Sequence, residues 1–378
     1  MKTIYLDNAA TTPILPEVID TITEAMVGVY GNPSSIHHVG RKAKSLVETA
    51  RKNIAKKFNV TASEIVFTAG GSEADNLIIR NAVTNLGVTK IISSKIEHHA
   101  VLHTLENLEK EFNITICWVN LDSHGNVDYK HLEELLTQTN EKKLVSLMFV
   151  NNEIGNLLNV KKVSDLCIAN KALFHSDAVQ AVGHFNFDLQ EIPIDFFAAS
   201  AHKFHGPKGV GFAFIKKGFG IHPILHGGEQ ERGARAGTEN LHSILGMEKA
   251  LSIAYTNLEK EITYIQALKK YFIQELTLNF EGIKFNGQSE DEEKSSYVIL
   301  SVRFPKEYPM LLFNLDLKGV AVSGGSACQS GSNKGSHVLN TILPNEEAIK
   351  TSIRFSFSKM NTVEELNYVI NNLKELIK

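Results

Sequence analysis

An α/β fold built on a mostly parallel sheet is predicted by two observations. Short apolar runs of strand length recur through residues 61–217, and segments of helical length and periodicity lie between several of them. The strand-like runs are 65–68, 90–94, 114–119, 144–150, 172–175, 195–199 and 210–215. Helical segments are predicted over 73–86, 100–112, 129–137 and 160–170. Strands and helices in alternation cover both faces of a sheet, and ligands then bind beyond the carboxyl ends of the strands.

A long helical stretch over about 240–279 closes this region, with Leu241, Ile244, Leu245, Ala250, Leu251 and Ala254 as its apolar residues. The texture then changes. A strand over 298–304, a helix near 310–317, strands near 320–323 and 353–357 and a last helix over 363–377 describe a smaller α+β domain. The expected division is a large domain over 16–260, with 1–15 and 261–378 forming the small one.

The chain has 378 residues, 43% hydrophobic and 21% charged, with 9 Pro and 26 Gly, a globular composition that excludes collagen-like and disordered classes. Its 39 Lys and Arg against 42 Asp and Glu leave a net charge of -3, which argues against a nucleic-acid protein. There is no apolar run long enough for a membrane span and no signal-peptide pattern at the start. Cys117, Cys167 and Cys328 are too few for a disulfide framework. A reducing compartment, the cytoplasm, is the expectation.

Three local patterns carry chemistry. Ser200-Ala-His-Lys-Phe-His-Gly206 sets Lys203 after a strand, next to small and apolar residues. Lysine is ordinarily solvated, but an amine in such surroundings loses hydration, which lowers its pKa and makes it a Schiff-base former. Phe174-His-Ser-Asp-Ala-Val-Gln180 puts Asp177 at a strand end, where it serves a turn or pairs with a pyridinium nitrogen. Phe67-Thr-Ala-Gly-Gly-Ser72 reads as strand, glycine turn and helix start. It suits a phosphate, or a plain cap in which Ser72 and Asp75 form a box. Together they ask for a phosphate, a pyridine nitrogen and an aldehyde, which is pyridoxal phosphate. His99 and His103 have the spacing of a zinc pair, but nothing completes the set, so helix packing or solvation is the reading and no resident metal is expected.

These patterns stand with Asp7-Asn-Ala-Ala-Thr-Thr-Pro13, Gly31-Asn-Pro-Ser-Ser35, Glu97-His-His99, Val150-Asn-Asn-Glu-Ile-Gly155, Glu231-Arg-Gly-Ala-Arg-Ala-Gly-Thr238 and Ser323-Gly-Gly-Ser-Ala-Cys328. From about residue 4 to 370 the chain resembles the cysteine desulfurases, in the class V aminotransferase group of fold-type I pyridoxal-phosphate enzymes. The segment around Cys328 resembles the group with the longer cysteine loop. By this resemblance Lys203 would carry the cofactor and shuttle protons, Asp177 would pair with the pyridine nitrogen, and His98 would stack on the ring and assist proton transfer. Asn152 and Gln180 would contact the ring oxygen and the substrate side, while Gly71, Ser72, Ser200 and His202 would hold the phosphate. Thr238 would reach a phosphate in the neighbouring subunit, which implies a homodimer, and Arg354 with Asn32 would bind the substrate carboxylate. Gly324, Val179 and Gly71 depart from the residues common in relatives, which are Ser, Thr and Ala.

Cys117 and Cys167 read as small buried hydrophobes, whereas Cys328 is followed by a polar, glycine-containing loop suited to motion. The resemblance implies a desulfurase: sulfur leaves L-cysteine for Cys328 as a persulfide, alanine is released, and the sulfur passes to an acceptor such as an iron–sulfur scaffold or a thiolation protein. A transient iron–sulfur contact at Cys328 is the only metal contact that it allows. Selenocysteine lyase, or another class V aminotransferase-like enzyme, is the alternative, although an aminotransferase has no use for Cys328.

Overall fold

The computed structural model describes residues 3–324 and 335–377. Cys328 and the start of the loop after it lie outside the described residues, and so does the expectation that the loop is mobile.

The chain opens with β1 (Ile4–Tyr5), α1 (Pro16–Gly28) and α2 (His38–Lys57), ahead of the predicted alternation. Pro16 starts α1 where no amide partner is needed. In α2, Ala43, Val47, Ala50 and Ile54 are buried at helical spacing and form one apolar stripe. There follow β2 (Ile65–Thr68), α3 (Gly71–Thr84), β3 (Lys90–Ser93), α4 (His99–Phe112) and β4 (Thr115–Trp118). Next come α5 (Tyr129–Thr137), β5 (Lys143–Ser146), α6 (Val160–Ala169), β6 (Leu173–Asp177), β7 (Phe196–Ser200) and β8 (Gly211–Ile215).

Among the described residues these strands form a seven-stranded sheet in the order β2-β8-β7-β6-β5-β3-β4. Only β8 runs against its neighbours. Both faces are buried from β2 through β3, as a helix-covered parallel sheet requires, while the edge strand β4 is only partly covered. On β7, Phe197 and Ala199 enter the core that includes α2, while Phe196 and Ala198 enter the core that includes α3 and α4.

Two expectations shift. The predicted run 144–150 ends as a strand at Ser146. Beyond it Leu147 and Phe149 still donate to His175 and Asp177 of β6, but Val150 turns to pair with Leu157. The single helix expected over about 240–279 is two, α7 (Leu241–Thr256) and α8 (Leu258–Asn279), broken at Asn257. Asn257 sits at φ -106° and ψ 6°, and its side chain donates to the Ile253 carbonyl, the local bond through which Asn competes with helix.

The remaining elements are β9 (Lys284–Phe285), β10 (Ile299–Arg303), α9 (Leu311–Leu317), β11 (Val320–Ala321), α10 (His337–Ile342), α11 (Asn345–Ala348), β12 (Ser352–Ser356) and α12 (Val363–Leu376). β12, β10 and β9 form an antiparallel sheet over a separate apolar core. The N-terminal arm is stitched to it: β1 pairs with β11, and Asn8 donates to the Ser356 carbonyl at 2.8 Å. No helix among the described residues is long and apolar enough to cross a membrane.

Candidate active site

Beyond the carboxyl ends of β3, β6 and β7 lies a cavity of about 400 Å³. It brings together ten of the residues singled out by the sequence: Gly71, Ser72, His98, Asn152, Asp177, Gln180, Ser200, His202, Lys203 and Arg354. Asn32 and Thr238 do not reach it. Both are exposed, Asn32 on the loop after α1 and Thr238 at a separate cavity of about 170 Å³ with Arg235 and Glu239.

Lys203 ends a short 3-10 turn that directly continues β7. Its Nζ donates to the carbonyls of Ala9 at 2.6 Å and Ala10 at 2.9 Å, so the N-terminal arm holds the amine in place. Gln180 Nε2 donates to the same Ala9 oxygen at 2.8 Å. Asp177 ends β6, and its Oδ1 accepts from the Val179 amide at 3.0 Å. Burial raises the Asp177 pKa, against the pull of His98 and Lys203. A cation placed beside it would favour the carboxylate.

His98 is the N-cap of α4, and its Nδ1 accepts from the Ala100 amide at 3.1 Å. That bond fixes the neutral tautomer with the proton on Nε2. Burial lowers the His98 pKa, with Lys203 and two further histidines adding to the effect and Asp177 opposing it. His202 is brought down to about 4 by burial and by Lys203 and Lys208, so near neutrality it is an uncharged donor or acceptor.

Arg354 on β12 is buried and donates to the Asn152 carbonyl at 2.6 Å and to Asp7 Oδ1 at 2.9 Å. A guanidinium has five N–H groups, so donors remain, and its Nε and the nearby Asn152 Oδ1 are buried without hydrogen-bond partners. Those atoms suit a bound polar ligand.

At the other end of the cavity the glycines let backbone approach closely. The box expected of Ser72 and Asp75 does not form: α3 starts at Gly71 with Gly70 as its N-cap, at φ +153°, and Glu73 takes the Ala69 amide. Asp75 is buried instead against His175, Oδ1 to Nε2 at 3.3 Å. A Cβ on Gly71 would lie 2.5 Å from Val179 Cγ2, so two of the departures from the family pattern are one packing fact. Gly71→Ala should loosen the cofactor about tenfold through overpacking, and adding Val179→Ala should recover most of the loss. Cofactor retained after dialysis reads this cycle, and additive effects of the two changes would refute it.

The pyridoxal phosphate that the resemblance implies fits these residues: an amine, a buried carboxylate, a glycine-lined helix start with Ser72 and Ser200, and unpartnered polar atoms where the substrate would lie. When bound it supplies an electron sink for the bonds at a substrate's Cα.

Reading the sequence alone missed several residues here. Glu97 is buried beside Asp177, accepts from Ser94 Oγ at 2.7 Å, and is pushed up to about 8, chiefly by burial. Glu153 and His337 line the same cavity. Arg51 of α2 holds Glu231 in a buried two-pronged ion pair, which steadies Glu231 and Arg232 at φ 49° and 57° in the loop that leads to Thr238. Helical periodicity could have found Arg51 as a charge on an apolar stripe. Glu97 and Glu153 lie inside the quoted motifs, where nothing local gives them a role, and no local signal marks His337. Among the described residues no cluster is arranged to hold a metal ion.

The family model described as aminotransferase class-V matches residues 4–369. A cysteine desulfurase IscS of Dictyoglomus turgidum is 40% identical over 382 residues, covering all of this chain and 95% of that one. A solved NifS-like protein superposes with a TM-score of 0.90 at 34% identity, covering 99% of each chain. The structure described as SspA in complex with cysteine gives 0.82 at 27% identity, covering 95% of this chain and all of that one.

Proposed function

Because the chain belongs to the class-V aminotransferase family, we propose that it is a pyridoxal-phosphate-dependent cysteine desulfurase. The observation that carries this reading is the convergence of Lys203, Asp177, His98 and Arg354 on one cavity, together with full-length similarity to curated cysteine desulfurases. In this reading Lys203 carries the cofactor and moves the proton at the substrate's Cα. Asp177 would pair with the ring nitrogen, and His98 would stack on the ring and assist proton transfer. Asn152 and Gln180 orient the ring oxygen and the substrate side, while Ser72, Ser200, His202 and the Gly71 amide hold the phosphate. Arg354, aided by Asn32, takes the substrate carboxylate.

The thiolate of Cys328 forms a bond to the substrate sulfur as the carbon–sulfur bond breaks. Carbon keeps the bonding pair and takes a proton, so L-cysteine and the thiol become L-alanine and a persulfide. The persulfide then passes to an acceptor protein, such as an iron–sulfur scaffold or a thiolation protein. Incubating the cofactor-loaded protein with L-cysteine tests this. Equal amounts of alanine and of a Cys328 peptide heavier by one sulfur are expected, and alanine without that peptide would overturn it.

A cytoplasmic homodimer is part of the same reading, as is a large domain over 16–260 with the rest forming the small one. Support for a dimer comes from exposed apolar residues, Tyr30 at 81% and Ile36 at 90% exposure. Val29, beside them, accepts from His242 at 3.1 Å, close in sequence to Thr238. Mixing Thr238→Ala with Lys203→Ala protein should then give heterodimers with one intact site. Activity well above either parent is expected, whereas fully active monomers in solution would overturn the shared site.

A further inference from the structure

Shortly after Cys328 the chain comes back to the wall of the cavity. Gly335, at φ +66°, leads into Ser336, whose hydroxyl donates to Glu153 Oε2 and accepts from the Leu339 amide at 3.0 Å, capping α10. The adjacent His337 donates from Nε2 to the Glu97 carbonyl at 3.0 Å. Its Nδ1 faces Glu153 Oε1 at 3.7 Å, and its ring lies 4.5 Å from that of His99. Glu153 is 1% exposed and directly follows Asn152, whose carbonyl Arg354 engages.

We propose that Glu153 is a positioning residue for sulfur transfer, holding Ser336 so that the C-terminal root of the Cys328 segment is fixed against the active-site cavity. This rests on the desulfurase reading above. Packing alone does not call for the contact, because Val338, Leu339 and Ile342 already bury α10 against Ile96 and Ile154. A buried carboxyl is costly, and burial does raise the Glu153 pKa. The cost falls at the point where the substrate end of the cavity and the root of the cysteine segment share one turn.

The test compares Glu153→Ala and Ser336→Ala with Glu153→Gln and Ser336→Thr, which keep the acceptor and the hydroxyl. Three readouts are taken on cofactor-loaded protein: the cofactor's absorbance and its change on adding L-cysteine, the single-turnover rate of persulfide formation on Cys328, and the rate of Cys328 alkylation by iodoacetamide, mapped by peptide mass. The alanine variants should form persulfide about tenfold more slowly and show an altered alkylation rate, with absorbance changes like wild type. The conservative variants should stay within about twofold. Wild-type persulfide and alkylation rates in both alanine variants would overturn the proposal. So would loss of cofactor from them, since the contact would then support the fold in general. Failure of the desulfurase reading itself would look different: wild-type protein would form no persulfide.

Discussion

Lys203→Ala should abolish covalent cofactor attachment and lower turnover by on the order of 10³-fold or more, while Cys328→Ser should keep the cofactor, still bind L-cysteine and form no persulfide. The division follows from position. The Lys203 amine is held by the Ala9 and Ala10 carbonyls inside the cavity, so in the proposed reading its replacement would remove the attachment point and the proton carrier together. Cys328 lies in a polar, glycine-containing stretch of the sequence, apart from the residues proposed to hold the cofactor. An unperturbed thiol has a pKa of about 8.5 and is only roughly 3% thiolate at pH 7, so the wild-type reaction needs that thiol deprotonated at the site. Absorbance spectra follow the cofactor, and peptide mass follows the sulfur. Sulfide release by Cys328→Ser at the wild-type rate would remove Cys328 from its role.

The sheet and the residues at its strand ends were legible because they follow local rules. Continuous apolar runs, glycine turns and strand-end polar residues each leave a mark within a few positions, and β2 and α5 match their predicted bounds. The break at Asn257 was not legible, since 240–279 carries helix-forming residues on both sides of it. Ser72 and Asp75 misled for a physical reason. The helix starts at Gly71 with Gly70 as its N-cap, so Ser72 lies inside it, and the Asp75 side chain is buried on the core face, 3.3 Å from His175. The Glu153 contact with Ser336 joins residues 183 positions apart, a separation that no window of sequence reaches.

Asp177→Asn should lower turnover about tenfold to a hundredfold while the cofactor stays bound, and Asp177→Glu should recover part of the loss. Asparagine keeps the shape and can still accept from the Val179 amide with its oxygen, the bond that now sets the Asp177 side chain at 3.0 Å. It cannot carry charge. The sign follows from the burial that raises the Asp177 pKa: without a cation beside it, this carboxyl takes up a proton more readily than a solvated one. A protonated ring nitrogen held there would be such a cation, and each charge would then stabilise the other. Without the carboxylate the ring nitrogen should lose its proton at lower pH. The pH at which the cofactor's absorbance changes should therefore fall in Asp177→Asn and rise again in Asp177→Glu. A merely structural defect would release cofactor and leave that midpoint unmoved, and Asp177→Asn protein with wild-type turnover would end the assignment.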